Sequence, residues 1–221
     1  MKNRWRIVFC LSFLVAANLQ LFGADRVLKP GTKEEPTVIA CVGDLVSLGR
    51  GKPYSEYLQR CLGEFFKVIN LAVDASETNL SAIQVWQERY WGQLADARPH
   101  VILMMFGTEA CLQKTGSGVD GFKSELQALL RRINDEHQSV RLFLCLPPPI
   151  YSPVNSKSLA RLSGEIIPFL KALSRERGVP LIDVHIGLSG RSEAFDQGYL
   201  PNAYGGALIS QVICYEIGSP D

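Results

Sequence analysis

Apolar positions along this chain fall into short unbroken runs, and between the runs they recur every three or four residues. The runs at 37–42, 67–71, 100–106, 140–146 and 179–184 are too short for helices and rich in strand-forming residues, so they are predicted as strands. Three stripes at helical spacing separate them. Tyr54, Tyr57, Leu58, Cys61, Leu62 and Phe65 form the first. Phe122, Leu126, Leu129, Leu130 and Ile133 form the second, and Leu159, Leu162, Ile166, Leu170 and Leu173 the third. A last helix is predicted over 203–217. Strands without polar alternation, each followed by a helix, require burial on both faces, which predicts a parallel sheet in a three-layer α/β/α fold. Ligands of such sheets bind beyond the carboxyl ends of the strands. Chemistry is therefore expected in the segments 43–47, 72–77, 107–111, 147–152 and 185–202.

Composition narrows the setting. A length of 221 residues, 47% hydrophobic and 20% charged, suits one core and one domain, expected over 37–217. Ahead of it the basic stretch Met1-Lys2-Asn3-Arg4-Trp5-Arg6, the apolar run 7–15 and the small pair Ala16-Ala17 have the order of a secretory leader. The expectation is a leader over 1–24, cleaved after Ala17 or Ala24, with 25–36 as a linker and the product in the periplasm or outside the cell. Asn18 and Gln20 interrupt the run before it reaches the roughly 20 apolar residues of a membrane span, so no integral membrane association is expected after cleavage. Removing Lys2, Arg4 and Arg6 turns the net charge from +1 to −2, which gives no reason to expect a nucleic-acid partner.

Five cysteines follow the leader, each alone in an apolar segment: Cys41, Cys61, Cys111, Cys145 and Cys214. The odd number and the burial argue for thiols over a disulfide framework, with one bridge left open. No Cys or His pair has zinc-ligand spacing, and the glycine-rich stretch 116–121 lacks the lysine of a phosphate loop. No metal and no cofactor are expected.

Six sequence blocks carry a resemblance: Ile39-Ala40-Cys41-Val42-Gly43-Asp44, Val68-Ile69-Asn70-Leu71, Phe106-Gly107-Thr108, Leu144-Cys145-Leu146-Pro147, Pro180-Leu181-Ile182-Asp183 and Pro201-Asn202-Ala203 with Gly205. In this order they resemble the SGNH, or GDSL, hydrolase superfamily, and within it the secreted sialate-O-acetylesterase-like group. The resemblance implies a flavodoxin-like five-stranded parallel sheet. It also implies an esterase mechanism with a Ser nucleophile, a His base paired with an Asp, and an oxyanion held by the Ser and Gly backbones and an Asn side chain. Laid on this sequence, the nucleophile position is Leu45. The Gly of the second block falls on Ala72, with the following glycine on Ala75. The Asn becomes Glu109, the Asp becomes Gln197 and the His becomes Leu200. A frame shifted by one uses Asp196 but then puts Tyr199 at the His.

A hydrocarbon cannot attack a carbonyl, and Leu200 cannot accept a proton. Replacing an oxyanion donor by an acceptor-only carboxylate adds repulsion where roughly 3 to 4 kcal/mol of stabilisation is needed. Ser47, two residues past the nucleophile position, is expected to cap backbone N–H groups. His185 is expected to make a structural hydrogen bond, and His100 and His137 to face solvent. Asp44, Asp74 and Glu109 follow three strands that a flavodoxin-like order makes neighbours, so an acidic cluster is one reading of the edge. In the other, Asp44 caps its helix while Asp74 and Glu109 point to water. Tyr151 and Tyr199 offer stacking surfaces for a sugar or are packing residues. The sequence is thus read as an exported, catalytically inactive SGNH-fold protein whose pocket, lined by Asp44, Leu45, Ser47, Asp74, Glu109, Tyr151, His185 and Tyr199, binds a glycan or another small envelope ligand. Two alternatives stay open: a carbohydrate O-acetylesterase with a rebuilt site, and an interaction module with a filled pocket.

Overall fold

The computed structural model describes residues 26–112, 118–151 and 156–218. The expected leader and Ser152 of the proline-rich loop lie outside the described residues. The order is β1 (Thr37–Gly43), α1 (Leu45–Leu48), α2 (Tyr54–Leu62), β2 (Phe66–Ala72), α3 (Ala82–Ala97), β3 (Val101–Met105), α4 (Thr108–Leu112), α5 (Gly118–Glu136), β4 (Arg141–Cys145) and α6 (Ser156–Arg161). A π-helical turn (Leu162–Ile166), α7 (Ile167–Arg177), β5 (Leu181–Ile182), α8 (Val184–Gly187), a 3-10 turn (Ser192–Ala194), the short strands β6 (Phe195–Asp196) and β7 (Leu200–Pro201), and α9 (Ala203–Ile217) complete it.

Strands β1 to β5 form one parallel sheet in the order β2-β1-β3-β4-β5, the flavodoxin-like order expected. β1 pairs with β2 from Thr37 opposite Phe66 to Gly43 opposite Ala72, and with β3 from Ile39 opposite Val101 to Gly43 opposite Met105. These registers bring the ends of β1, β2 and β3 to one edge. Two cores flank the sheet. Ala40, Val42, Ile102, Met104 and Leu144 pack under α3, α5 and α7, while Ile39, Cys41, Leu103 and Phe143 pack under α2 and α9. The strand alternation that sends neighbouring residues to opposite faces therefore finds apolar partners on both, as unbroken apolar runs demand.

Helix starts follow local chemistry. Ser81 and Gln84 form a reciprocal capping box on α3, and Asn202 caps α9 by accepting from the Gly205 N–H. The third predicted stripe is interrupted: Pro168 near the start of α7 has no N–H to continue the ladder, and the turn before it widens to π geometry. Leu159 ends up 42% exposed. The fifth strand is cut to two residues because Asp183 caps α8. One bridge forms, Cys61 to Cys214, tying α2 to α9, while Cys41, Cys111 and Cys145 are buried thiols. This is the one bridge that the sequence left open, between helices that pack on each other across a separation of 153 residues.

Candidate functional site

Strand β1 delivers Gly43 and Asp44 to the carboxyl edge of the sheet. A Cβ on Gly43 would overlap Ser47 Oγ and the Met105 carbonyl, so the turn admits only glycine there. Asp44 sits in extended backbone as the cap of α1, its Oδ1 accepting from the Val46 N–H at 3.2 Å. Its Oδ2 accepts from the N–H groups of Gly107 at 3.0 Å and Glu109 at 3.2 Å. One carboxylate, 1% exposed, thus clamps the first block to the third. Gly107 makes this possible with φ of 133°, a region open to glycine.

Glu109 does not point to water. It is 3% exposed, and its Oε1 accepts from the Leu45 N–H at 3.0 Å and the Ala75 N–H at 3.3 Å. Two backbone donors that converge on one oxygen between the ends of β1 and β2 have the geometry of an oxyanion hole. Here the oxygen they hold belongs to the protein. Ala72 is not the second donor: it pairs with Gly43 at the end of β2, and its N–H is taken by Asn70 Oδ1 at 3.1 Å. Ala75, three residues further on, supplies that donor. Among the described residues Glu109 Oε2 has no hydrogen-bond partner. Asp74 is exposed and accepts from the Ser76 N–H at 2.8 Å, which matches the water-facing expectation.

Electrostatics follow from this burial. Loss of solvent raises the Asp44 carboxyl to about 6, against the pull of the N–H groups of Glu109, Gly107, Val46 and Thr108 that favour its charge. Glu109 is pushed up further, to about 8, first by burial and then by the Asp44 charge, with the Leu45 and Ala75 N–H groups pulling the other way. The neighbouring Cys111 thiol is raised to about 12 by burial.

The remaining candidates serve packing. Leu45 is 8% exposed, and Leu200 packs against the cluster that contains it, with α1 and β7 in contact. Ser47 is fully buried, and its hydroxyl donates to the Met105 carbonyl at 3.5 Å instead of capping the helix. Gln197 is exposed at φ 53°, in a tight turn with Gly198 at φ 75° that joins β6 to β7 and closes with the Tyr199 N–H on the Asp196 carbonyl. This hairpin spans the stretch where the resemblance would place an Asp and a His. Tyr199 donates its hydroxyl to Gln197 Oε1 and is half-buried against the core. Tyr151 donates to the Leu188 carbonyl at 2.6 Å, accepts from the Arg191 N–H, and packs on the Phe195 ring. These two tyrosines are packing residues. His185 Nδ1 meets the Pro147 carbonyl at 3.2 Å, the structural bond expected. His100 is exposed, but His137 is half-buried with its ring against Trp91, a correction to the solvent-facing expectation.

A small cavity lies beside Asp44. Asp44, Ser81, Phe106, Gly107, Ala110 and Phe122 line a cavity of about 10 Å³, room for one water at most. A wide cleft of about 940 Å³ does exist, but at the amino end of β4, between the ends of α5 and α7 and away from Leu45 and Glu109. Among the described residues no group of three or more His, Cys, Asp or Glu is placed to hold a metal ion. Ala75 is the site residue that the sequence pattern signals least, marked there only as the position of a second glycine.

Residues 38–208 match the GDSL-like Lipase/Acylhydrolase family. The chain is 22% identical over 213 residues to an acetylxylan esterase of Xylanibacter ruminicola, covering 85% of this chain and 44% of that protein, so it spans less than half of its relative's length. In fold it is similar to a GDSL-like lipase from Parabacteroides merdae, with a TM-score of 0.70 at 15% identity over 86% of this chain and 98% of the other. It is likewise similar to a catalytic mutant of an acetylxylan esterase from Geobacillus stearothermophilus, with a TM-score of 0.68 at 15% identity over 87% and 98%. The chain belongs to the GDSL-like lipase/acylhydrolase family.

Proposed function

We propose that this protein is an exported, non-hydrolysing member of its family, of the sialate-O-acetylesterase-like kind, that works through its surface as an interaction module. The observation that carries the reading is the seat of Glu109: its Oε1 lies between the Leu45 and Ala75 N–H groups, where a substrate oxyanion would have to be received. A tetrahedral intermediate would meet a filled hole, beside a side chain that cannot attack and with Leu200 where a base is needed. Loss of nucleophile and base together removes nearly all triad chemistry, since losing either alone costs about as much as losing the whole triad. Burial of Leu45 and Glu109, 8% and 3% exposed, favours the filled-pocket reading over a glycan in the old site. Both tyrosines that could have stacked on a sugar are engaged in packing. The Cys61–Cys214 bridge supports an oxidising compartment and hence export.

The test is turnover of p-nitrophenyl acetate and of acetylated xylo-oligosaccharides by the purified chain, which is expected to match a protein-free control. Catalysis that saturates with substrate and disappears on mutating Asp44, Glu109 or His185 would overturn the reading. It would favour instead an ester hydrolase with a rebuilt site, acting on acetylated sugars, a class suggested by the likeness to acetylxylan esterases.

A further inference from the structure

Asp44 and Glu109 share one buried site, yet the donors around them are unequal. Asp44 receives three backbone N–H hydrogen bonds on its two oxygens, from Val46, Gly107 and Glu109, and the Thr108 N–H adds its pull. Glu109 receives two, both on Oε1, and its buried Oε2 faces no donor among the described residues. A charged oxygen with no partner in a buried site is far costlier than a protonated one, and two adjacent buried carboxylates do not both hold charge easily. The unequal donors therefore place the negative charge on Asp44 and the proton on Glu109. Among the described residues no cation figures in the electrostatics of either carboxyl. Asp74 at the end of β2 adds negative charge, Cys111 on the same short helix stays a neutral thiol, and Arg161 and Glu165 beyond α4 act on Cys111. Lys123 of α5 is taken by Asp120 and Glu165, and Glu125 by Ser81.

We propose that Glu109 is a proton-operated plug of the oxyanion hole: as the neutral acid it sits on the Leu45 and Ala75 N–H groups, and on losing its proton it leaves them. Departure gives the carboxylate water and relieves repulsion from Asp44 and Asp74, against the loss of two hydrogen bonds to one oxygen. The hole is closed at neutral pH and uncovered in alkaline solution. The direction agrees with the Glu109 carboxyl being raised to about 8. The inference rests on the filled hole and is independent of whether the protein hydrolyses anything, so activity assays and the titration below can fail separately.

The experiment follows the Glu109 carboxyl carbon and the Leu45 and Ala75 amides of the full chain by NMR from pH 5 to 9.5. The expected result is a Glu109 midpoint above 7, with both amides moving upfield at the same midpoint as they lose their acceptor. In Glu109→Gln, which keeps a neutral carbonyl in the seat, the two amides stay at their low-pH positions throughout. A Glu109 midpoint below 7 overturns the proposal. So do amides that stay still, or move downfield, as Glu109 ionises, because a charged carboxylate that remained seated would strengthen those bonds.

Discussion

Substituting Glu109 by Gln separates the cost of its buried proton equilibrium from its shape. The amide keeps a carbonyl oxygen for the Leu45 and Ala75 N–H groups but cannot ionise. In the unfolded chain a Glu titrates at about 4.3, while in the folded protein it is raised to about 8. The folded state therefore binds more protons than the unfolded state between those values. Stability falls as pH rises through that window and levels off above it. Each tenfold change in proton affinity is worth about 1.4 kcal/mol, so the wild-type side chain costs about 1 kcal/mol at pH 5 and about 4 to 5 kcal/mol at pH 8. The upper figure is a bound, since an ionised Glu109 that escapes to water relieves part of it. Asp44, raised to about 6, adds a cost of the same sign at the acid end of the window in both proteins. Urea unfolding at pH 5, 6.5 and 8 measures the difference. The Gln variant should gain on the wild type by about 3 to 4 kcal/mol between pH 5 and pH 8, with equal m-values. Parallel stability curves for the two proteins across that range would refute the reasoning.

Other consequences are open to direct measurement. Replacing Cys61 or Cys214 by Ser removes a bridge closing 153 residues and should cost about 5 kcal/mol in denaturant unfolding, an effect reproduced in the wild type by reductant. Leu45→Ser should give no turnover of p-nitrophenyl acetate above background, because the new hydroxyl would have neither a base at Leu200 nor a free hole. Gly107→Ala should lower stability by about 2 kcal/mol in thermal unfolding: its φ of 133° excludes a side chain, and the new Cβ would lie 2.8 Å from Ile166 Cγ2.

The architecture is legible in the sequence because it rests on period and polarity. Parallel strands buried on both faces leave unbroken apolar runs, and all five are readable, as is α9 through the cap Asn202. Leu159 and the fifth strand escape the pattern where a backbone detail outranks it: Pro168 widens one turn, and Asp183 ends β5 early by capping α8. The positions that the resemblance singles out are visible one at a time, but their arrangement is not. Glu109 is an ordinary surface residue by type, and only the convergence of β1, β2 and α4 turns its carboxylate inward onto Leu45 and Ala75. The second donor is assigned to Ala72 by spacing because spacing cannot tell a strand-terminal N–H, already paired, from one three residues later that is free to aim at the site. Pairing of Cys61 with Cys214 depends on the packing of α2 on α9, which no local signal encodes.

The central claim is that the hole is filled and no group beside it can take up an acyl or phosphonyl fragment. Intact mass after incubation with a fluorophosphonate probe at pH 7 tests it most directly. The account predicts an unchanged mass; one added phosphonyl group, mapped to a single residue and absent when the protein is unfolded first, would contradict it.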